Sequence, residues 1–171
     1  MEFKQLINER FSERRSTNEP VTNEEITEIL EMTDLAPSAG NLQSFRVVVV
    51  RDEKVRRKLM EASANQDWMM EAPVFLVFFA DLDQFRSRFS TGHEETIALQ
   101  DASIAMAYAQ LAATEIGLGT CWVGTFARGV AQDICKLSGN LRFAGILTLG
   151  HPKGRKPARS RRGHDDWASW I

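Results

Sequence analysis

Two adjacent arginines followed by a serine, Arg14-Arg15-Ser16, stand just past an N-terminal stretch whose apolar residues recur at helical spacing. Guanidinium forks match phosphate oxygens bidentately and a serine hydroxyl donates a third bond, so this tripeptide can hold a phosphate. A solvated surface pair is the competing account. A second stretch, Ala36-Pro37-Ser38-Ala39-Gly40-Asn41-Leu42-Gln43, interrupts two regular elements with residues that pack poorly. Its small side chains let the backbone approach a flat partner, and the amides of Asn41 and Gln43 both donate and accept. An ordinary helix-to-strand loop has the same letters. Asn65-Gln66 adds two further amides immediately before an apolar run.

The elements that must position these residues follow from periodicity. Phe3, Leu6, Ile7 and Phe11 predict a short helix over Glu2 to Phe11. Thr22-Asn23-Glu24-Glu25 fits a capping box and opens a helix running to about Leu35, with Ile26, Ile29, Leu30 and Thr33 inward and Pro37 enforcing the stop. The β-branched run Phe45 to Val50 predicts a buried strand. A further helix spans Asp52 to about Ala62. Val74 to Ala80 is apolar on both alternating faces, as in a central strand covered on each side. Between Asp81 and Glu95 the chain is polar, with Phe85 and Phe89 four apart; this is the segment expected to move.

Thr96 to Ile116 is alanine-rich and apolar nearly all round, which predicts a long helix buried on every side. Its small residues would also admit a second helix, from this or another subunit. Asp101 and Gln110 interrupt it, leaving less than the roughly 20 apolar residues a bilayer requires. Gly117-Leu118-Gly119 caps it. Thr120 to Phe126 then reads as a strand entering a glycine-containing loop, Val130 to Leu137 as a one-sided helix, and Arg142 to Gly150 as a last core strand. From His151 the chain turns basic (Lys153, Arg155, Lys156, Arg159, Arg161, Arg162), before Asp165-Asp166-Trp167 and Trp170, tryptophans suited to docking on protein.

With 171 residues, 43% hydrophobic and 26% charged, and a formal net charge of -2, the chain fits one domain, residues 1-171, without a global bias toward nucleic acid or membrane. The charged N-terminus lacks the build of a secretory signal, so a cytoplasmic protein is expected. Cys121 and Cys135 read as reduced core thiols, and His93, His151 and His164 show no metal-binding spacing.

Taken in order, Arg14-Arg15-Ser16, Ala36 to Gln43, Asn65-Gln66 before Ala72-Pro73, Gly117-Leu118-Gly119-Thr120-Cys121-Trp122-Val123-Gly124, and Leu149-Gly150-His151-Pro152 followed by Arg162 resemble the nitroreductase family across nearly the whole chain. The resemblance implies an α+β fold, a mainly antiparallel or mixed sheet flanked by helices, built as an intertwined homodimer with FMN at the subunit interface. It implies that Arg14, Arg15 and Ser16 hold the FMN phosphate and ribityl end, helped by Arg162 or a neighbouring arginine, Arg159 or Arg161. Pro37, Ser38, Ala39 and Asn41 of the partner chain would cover the isoalloxazine. Asn65 or Gln66 would address its pyrimidine edge, and backbone groups at Val123 and Gly124 would face N5.

The activity so implied is oxidoreduction: NADH or NADPH gives hydride to FMN, and an electron-poor small molecule, a nitroaromatic or quinone, is then reduced. The cofactor carries the chemistry, so no catalytic side chain is named. One departure stands out, because the family's further cation two residues past the serine is missing: either Asn18 replaces it or the loop is shortened past it. A cation there stabilises reduced flavin, so its loss predicts an FMN that is harder to reduce. Competing readings are a flavin-storage protein with little turnover, a relative of reductive dehalogenases, and a structural dimer whose arginines bind nucleic acid with steep salt dependence.

Overall fold

In the computed structural model a four-stranded sheet carries helices on both faces; the structure describes every residue except Arg128, Arg155, Lys156, Ala158 and Arg159. Chain order is α1 (Phe3–Glu9), α2 (Asn23–Thr33), β1 (Phe45–Val50), α3 (Glu53–Ala62), β2 (Val74–Asp81), α4 (Leu82–Arg86), α5 (Glu94–Glu115), β3 (Gly119–Val123), α6 (Val130–Ile134) and β4 (Leu141–Gly150). The sheet order is β1-β2-β4-β3 and each of its pairs is antiparallel. This is the α+β class expected, and of the two expected sheet types, mainly antiparallel or mixed, the sheet is antiparallel throughout.

Strand β2 explains the layering. All of its residues are buried. Val74, Leu76 and Phe78 pack with Ile26, Ile29, Ala105, Ala109 and Leu147, between the sheet and α2 with α5. Phe75, Val77 and Phe79 pack with Leu59, Met69, Val123 and Ile146 beneath α3 and α6. Alternate side chains of one strand thus supply two cores, which is why its sequence shows no polar face.

Most of α5 is core, as its composition predicts: Ala98, Ala102, Ala105, Ala109, Ala112 and Ala113 are buried within the protomer. Its small side chains admit the sheet closely, and at Gly145 of β4 an added Cβ would lie 2.9 Å from Met106 Sδ. Ile104 and Tyr108 remain exposed on the opposite face. Gly117, at φ 85°, lets Leu118 N–H return to the Ala113 carbonyl and end the helix.

Several expectations are corrected. Strand β1 is not buried: only Val50 is, because β1 lies at the sheet edge and pairs with β2 alone. Helix α2 has its capping box but ends at Thr33, before the reach of Pro37, and Leu35 is exposed. The polar segment after β2 begins with a packed turn of helix, since Asp81 caps α4 and Phe85 is buried beside Leu82 and Ala102, and beyond it the chain is largely exposed. Cys135 is only half-buried, whereas β3 ends at Val123 and enters its loop at Gly124 as expected. Among the described residues no helix is long and apolar enough to cross a membrane.

Candidate functional site

The arginine pair lies where β3 begins and β4 ends. Ser12 bridges Thr120, and Glu13 N–H donates to the Thr120 carbonyl at 2.8 Å. Ser16 bridges Pro152, Thr17 N–H donates to the His151 carbonyl at 2.9 Å, and Lys153 N–H donates to the Arg15 carbonyl at 3.1 Å. The segment is therefore stitched to both neighbouring strands by backbone bonds. Ser16 fits only because residue 150 is glycine: a Cβ there would stand 2.6 Å from Ser16 Oγ and 2.9 Å from Pro73 Cδ. Arg14 and Arg15 are exposed, and neither forms an ion pair with a described residue. Asn18 is exposed as well.

From this corner a flank of candidate residues continues along the α3 side. The Arg14 guanidinium sits over the Trp68 ring, 5.3 Å from its centroid, on the turn Asp67–Glu71. That turn begins at Asn65-Gln66. Ala64 and Asn65 are both left-handed, at φ 61° and 53°, and the exposed Asn65 amide makes no hydrogen bond to a described residue. Gln66 Nε2 donates to the Ser63 carbonyl. Just past Gly124, Ala127 N–H donates to the Ala62 carbonyl at 2.9 Å, tying the loop after β3 to the end of α3. At Gly124 there is room for close approach, since among the described residues an added Cβ would meet only Trp122 Nε1, at 3.9 Å.

Beyond Gly124 opens a cavity of about 630 Å³ walled by Phe79, Leu99, Phe126 and Phe143, with Arg142 and Glu95 also lining it. The rings of Phe126 and Phe143 lie with centroids 4.4 Å apart. Arg142 Nε pairs with Glu95 at 3.0 Å.

The second predicted stretch is not on this flank. Ser44, which follows it, accepts from Asp81 N–H, and Asp81 faces Leu141 at the start of β4, whereas Ser16 sits at Gly150, the end of the same strand. At a rise of ~3.3 Å per residue, about 30 Å separates these anchor points. The loop itself is taut. Gly40, Asn41 and Gln43 have φ of 56°, 58° and 45°, and a Cβ on Gly40 would fall 2.7 Å from the Phe89 ring. Ser38 Oγ accepts from Gln43 N–H, and Asp101 of α5 accepts from Ala39 N–H at 2.9 Å and from the Ser44 hydroxyl.

Of the predicted residues, then, Arg14, Arg15, Ser16, Asn65, Gln66, Val123 and Gly124 share one flank. Pro37, Ser38, Ala39 and Asn41 stand apart within the protomer. Arg162 is exposed, and Arg161 lines a groove with Arg10 and Ser12. Arg159 falls outside the described residues. Sequence reading missed Glu13, Trp68 and the loop-holding role of Asp101.

The sequence profile of the nitroreductase family matches residues 7–66 and 60–151, two overlapping segments that together cover most of the chain. The chain belongs to the nitroreductase family. Its similarity to the FMN reductase (NAD(P)H) of Bacillus subtilis is 34% identity over 173 residues, covering 93% of this chain and 69% of that one. It is also 50% identical over 74 residues to an NADH dehydrogenase of Thermus thermophilus, covering 43% of this chain and 36% of the other. The solved structure of the hypothetical oxidoreductase YcnD from Bacillus subtilis superposes with a TM-score of 0.89 at 28% identity, over 96% of this chain and 72% of that one. The nitroreductase architecture described above is thus shared by a protein of known structure.

Proposed function

We propose that the chain is a single-domain, cytoplasmic, FMN-dependent oxidoreductase that oxidises NADH or NADPH and reduces an electron-poor aromatic acceptor, a nitroaromatic or a quinone. The observation that carries this reading is the pair of exposed guanidinium groups, unpaired with any described acid, beside Ser16 at one end of a flank that runs through Asn65 to Gly124. The relative named FMN reductase supports it.

The residues present fit a phosphorylated flavin. Arg14, Arg15 and Ser16 offer charge and donors to a phosphate. The unbonded Asn65 amide can both donate to and accept from a pyrimidine edge. Gly124 lets the backbone at the end of β3 approach a ring without side-chain obstruction. FMN, when bound, supplies the hydride chemistry that no side chain of this chain provides. The protein's own contribution is to bind and orient. The phenylalanine-walled cavity beyond Gly124 suits a planar acceptor, because aromatic walls hold flat rings with little polar demand.

Closure of the site comes from a second copy of the chain. The strained loop Pro37 to Asn41 lies too far along β4 to reach its own arginine corner, and α5 exposes Ile104 and Tyr108 on the face turned away from the core. A homodimer in which each loop covers the partner's flank reconciles both facts.

The test is the visible spectrum of the purified protein after FMN addition and desalting, followed by NADH and NADPH oxidation with a quinone. Flavin bands near one per chain and quinone-dependent turnover are expected. A protein that retains no FMN refutes the reading, and one that retains FMN without turnover with either donor is a storage protein.

A further inference from the structure

Glu13 is only 6% exposed and precedes two arginines, yet its carboxylate pairs with no described cation. Its oxygens are occupied by main chain instead. Oε1 accepts from Arg14 N–H at 2.9 Å and from Arg15 N–H at 2.8 Å, while Oε2 accepts from Gly154 N–H at 3.0 Å. Two glycines make the room. A Cβ at 119 would stand 2.9 Å from Glu13 Cγ, and one at 154 would stand 2.9 Å from both Glu13 Oε2 and Arg15 Nη2.

Two consequences follow from ordinary hydrogen-bond accounting. The amides of Arg14 and Arg15 already have an acceptor, so they are withdrawn from any anion that approaches the loop; recognition there falls to the side chains. The same carboxylate ties the arginine loop to the segment that begins the basic C-terminal run, across 141 positions of sequence. A buried carboxylate holding several amides fixes backbone direction more firmly than neutral turn bonds would, since bonds to an ionised acceptor are the stronger kind.

We infer that Glu13 is a positioning residue for phosphate recognition: by engaging the amides of Arg14, Arg15 and Gly154 it fixes the loop so that the two guanidinium groups, and not the backbone, meet the phosphate. This rests on the reading of the flank as a flavin mononucleotide site. Glu13 itself touches no ligand. Its replacement should therefore weaken the phosphorylated flavin selectively, leaving the ring contacts intact.

The experiment titrates flavin-free full-length protein with FMN and with riboflavin, following quenching of flavin fluorescence, in the wild type and in Glu13→Gln and Gly154→Ala. Glutamine keeps the shape but turns an N–H₂ toward at least one backbone N–H. Alanine at 154 crowds Glu13 and Arg15 from the other side. The expected result is an FMN Kd raised about tenfold or more in each variant, with riboflavin changed by less than about twofold. Equal weakening of both flavins, or unchanged FMN affinity, overturns the inference. Riboflavin binding reports that a variant is folded, and if Glu13→Gln does not fold, Gly154→Ala decides by the same criteria. A wild type that binds FMN no better than riboflavin removes the phosphate role of the loop while leaving a flavin site. A wild type that binds neither overturns the function proposed above and this inference with it.

Discussion

Replacing Asp101 should loosen the loop from Ala36 to Gln43 more than any change within the loop's polar side chains. Asp101 is 3% exposed on α5, and its carboxylate accepts from Ala39 N–H and from the Ser44 hydroxyl, which is fully buried. Asp101→Ala removes both acceptors and strands two donors. A hydrogen bond to a charged group contributes about 1.5–3 kcal/mol, so the pair implies a loss of about 3–6 kcal/mol. For a chain of this length that is a fall in Tm on the order of 10 °C. Ser44→Ala loses one of the two bonds and strands the Asp101 oxygen that accepted it, so it should cost about 1.5–3 kcal/mol. Because both residues share one bond, the double variant should fall short of the sum by about 0.5–3 kcal/mol. Thermal and urea unfolding of the four proteins measures all of this. An Asp101→Ala protein that melts within 2 °C of wild type, at the level of about 0.5 kcal/mol, would refute the role assigned to this carboxylate.

Other substitutions probe the backbone. Gly40→Ala puts a Cβ 2.7 Å from the Phe89 ring at φ 56°, and should destabilise by about 1–3 kcal/mol in the same unfolding assay. Ala64→Gly should act in the opposite sense: exposed at φ 61°, Ala64 carries a left-handed penalty of about 1–2 kcal/mol that exceeds the entropy cost of glycine, giving a gain of about 0.5–1 kcal/mol. Burial pushes the Cys135 thiol up from 9.0 to about 11, so it should resist alkylation at pH 8 in the folded protein and react once denatured. Since the folded state disfavours its thiolate, this group lowers stability as pH rises above about 9, where the unfolded chain ionises first, and the loss is complete above about 11.

Local chemistry was legible and distant chemistry was not. The Thr22–Glu25 capping box is a bond between neighbours and could be read directly. The double-sided burial of β2 follows from its unbroken apolar run. Strand β1 has the same letters, but whether a valine face is covered depends on which strand lies beside it, and position in the sheet is not written locally. Asp101 looked like an interruption in an apolar helix because its partners lie 62 and 57 positions away. Glu13 drew no reading, since nothing nearby in sequence reports that Gly119 and Gly154 leave a pocket for it.

The candidate site therefore divides by sequence distance as well as by space. Its arginine corner is held by backbone pairing with strand ends, and its amide at Asn65 stands on a left-handed pair of residues that a turn of five residues must stabilise. Its loop at Pro37 to Asn41 carries the other run of left-handed residues and is fastened to α5 by one buried acid. Backbone strain at both places is costly in a protomer on its own. Such features persist where something else returns the free energy. In the proposed dimer, a phosphate between Arg14 and Arg15 and a second chain's loop over the first chain's flank would return it at the same site, so cofactor binding and dimer formation should strengthen one another.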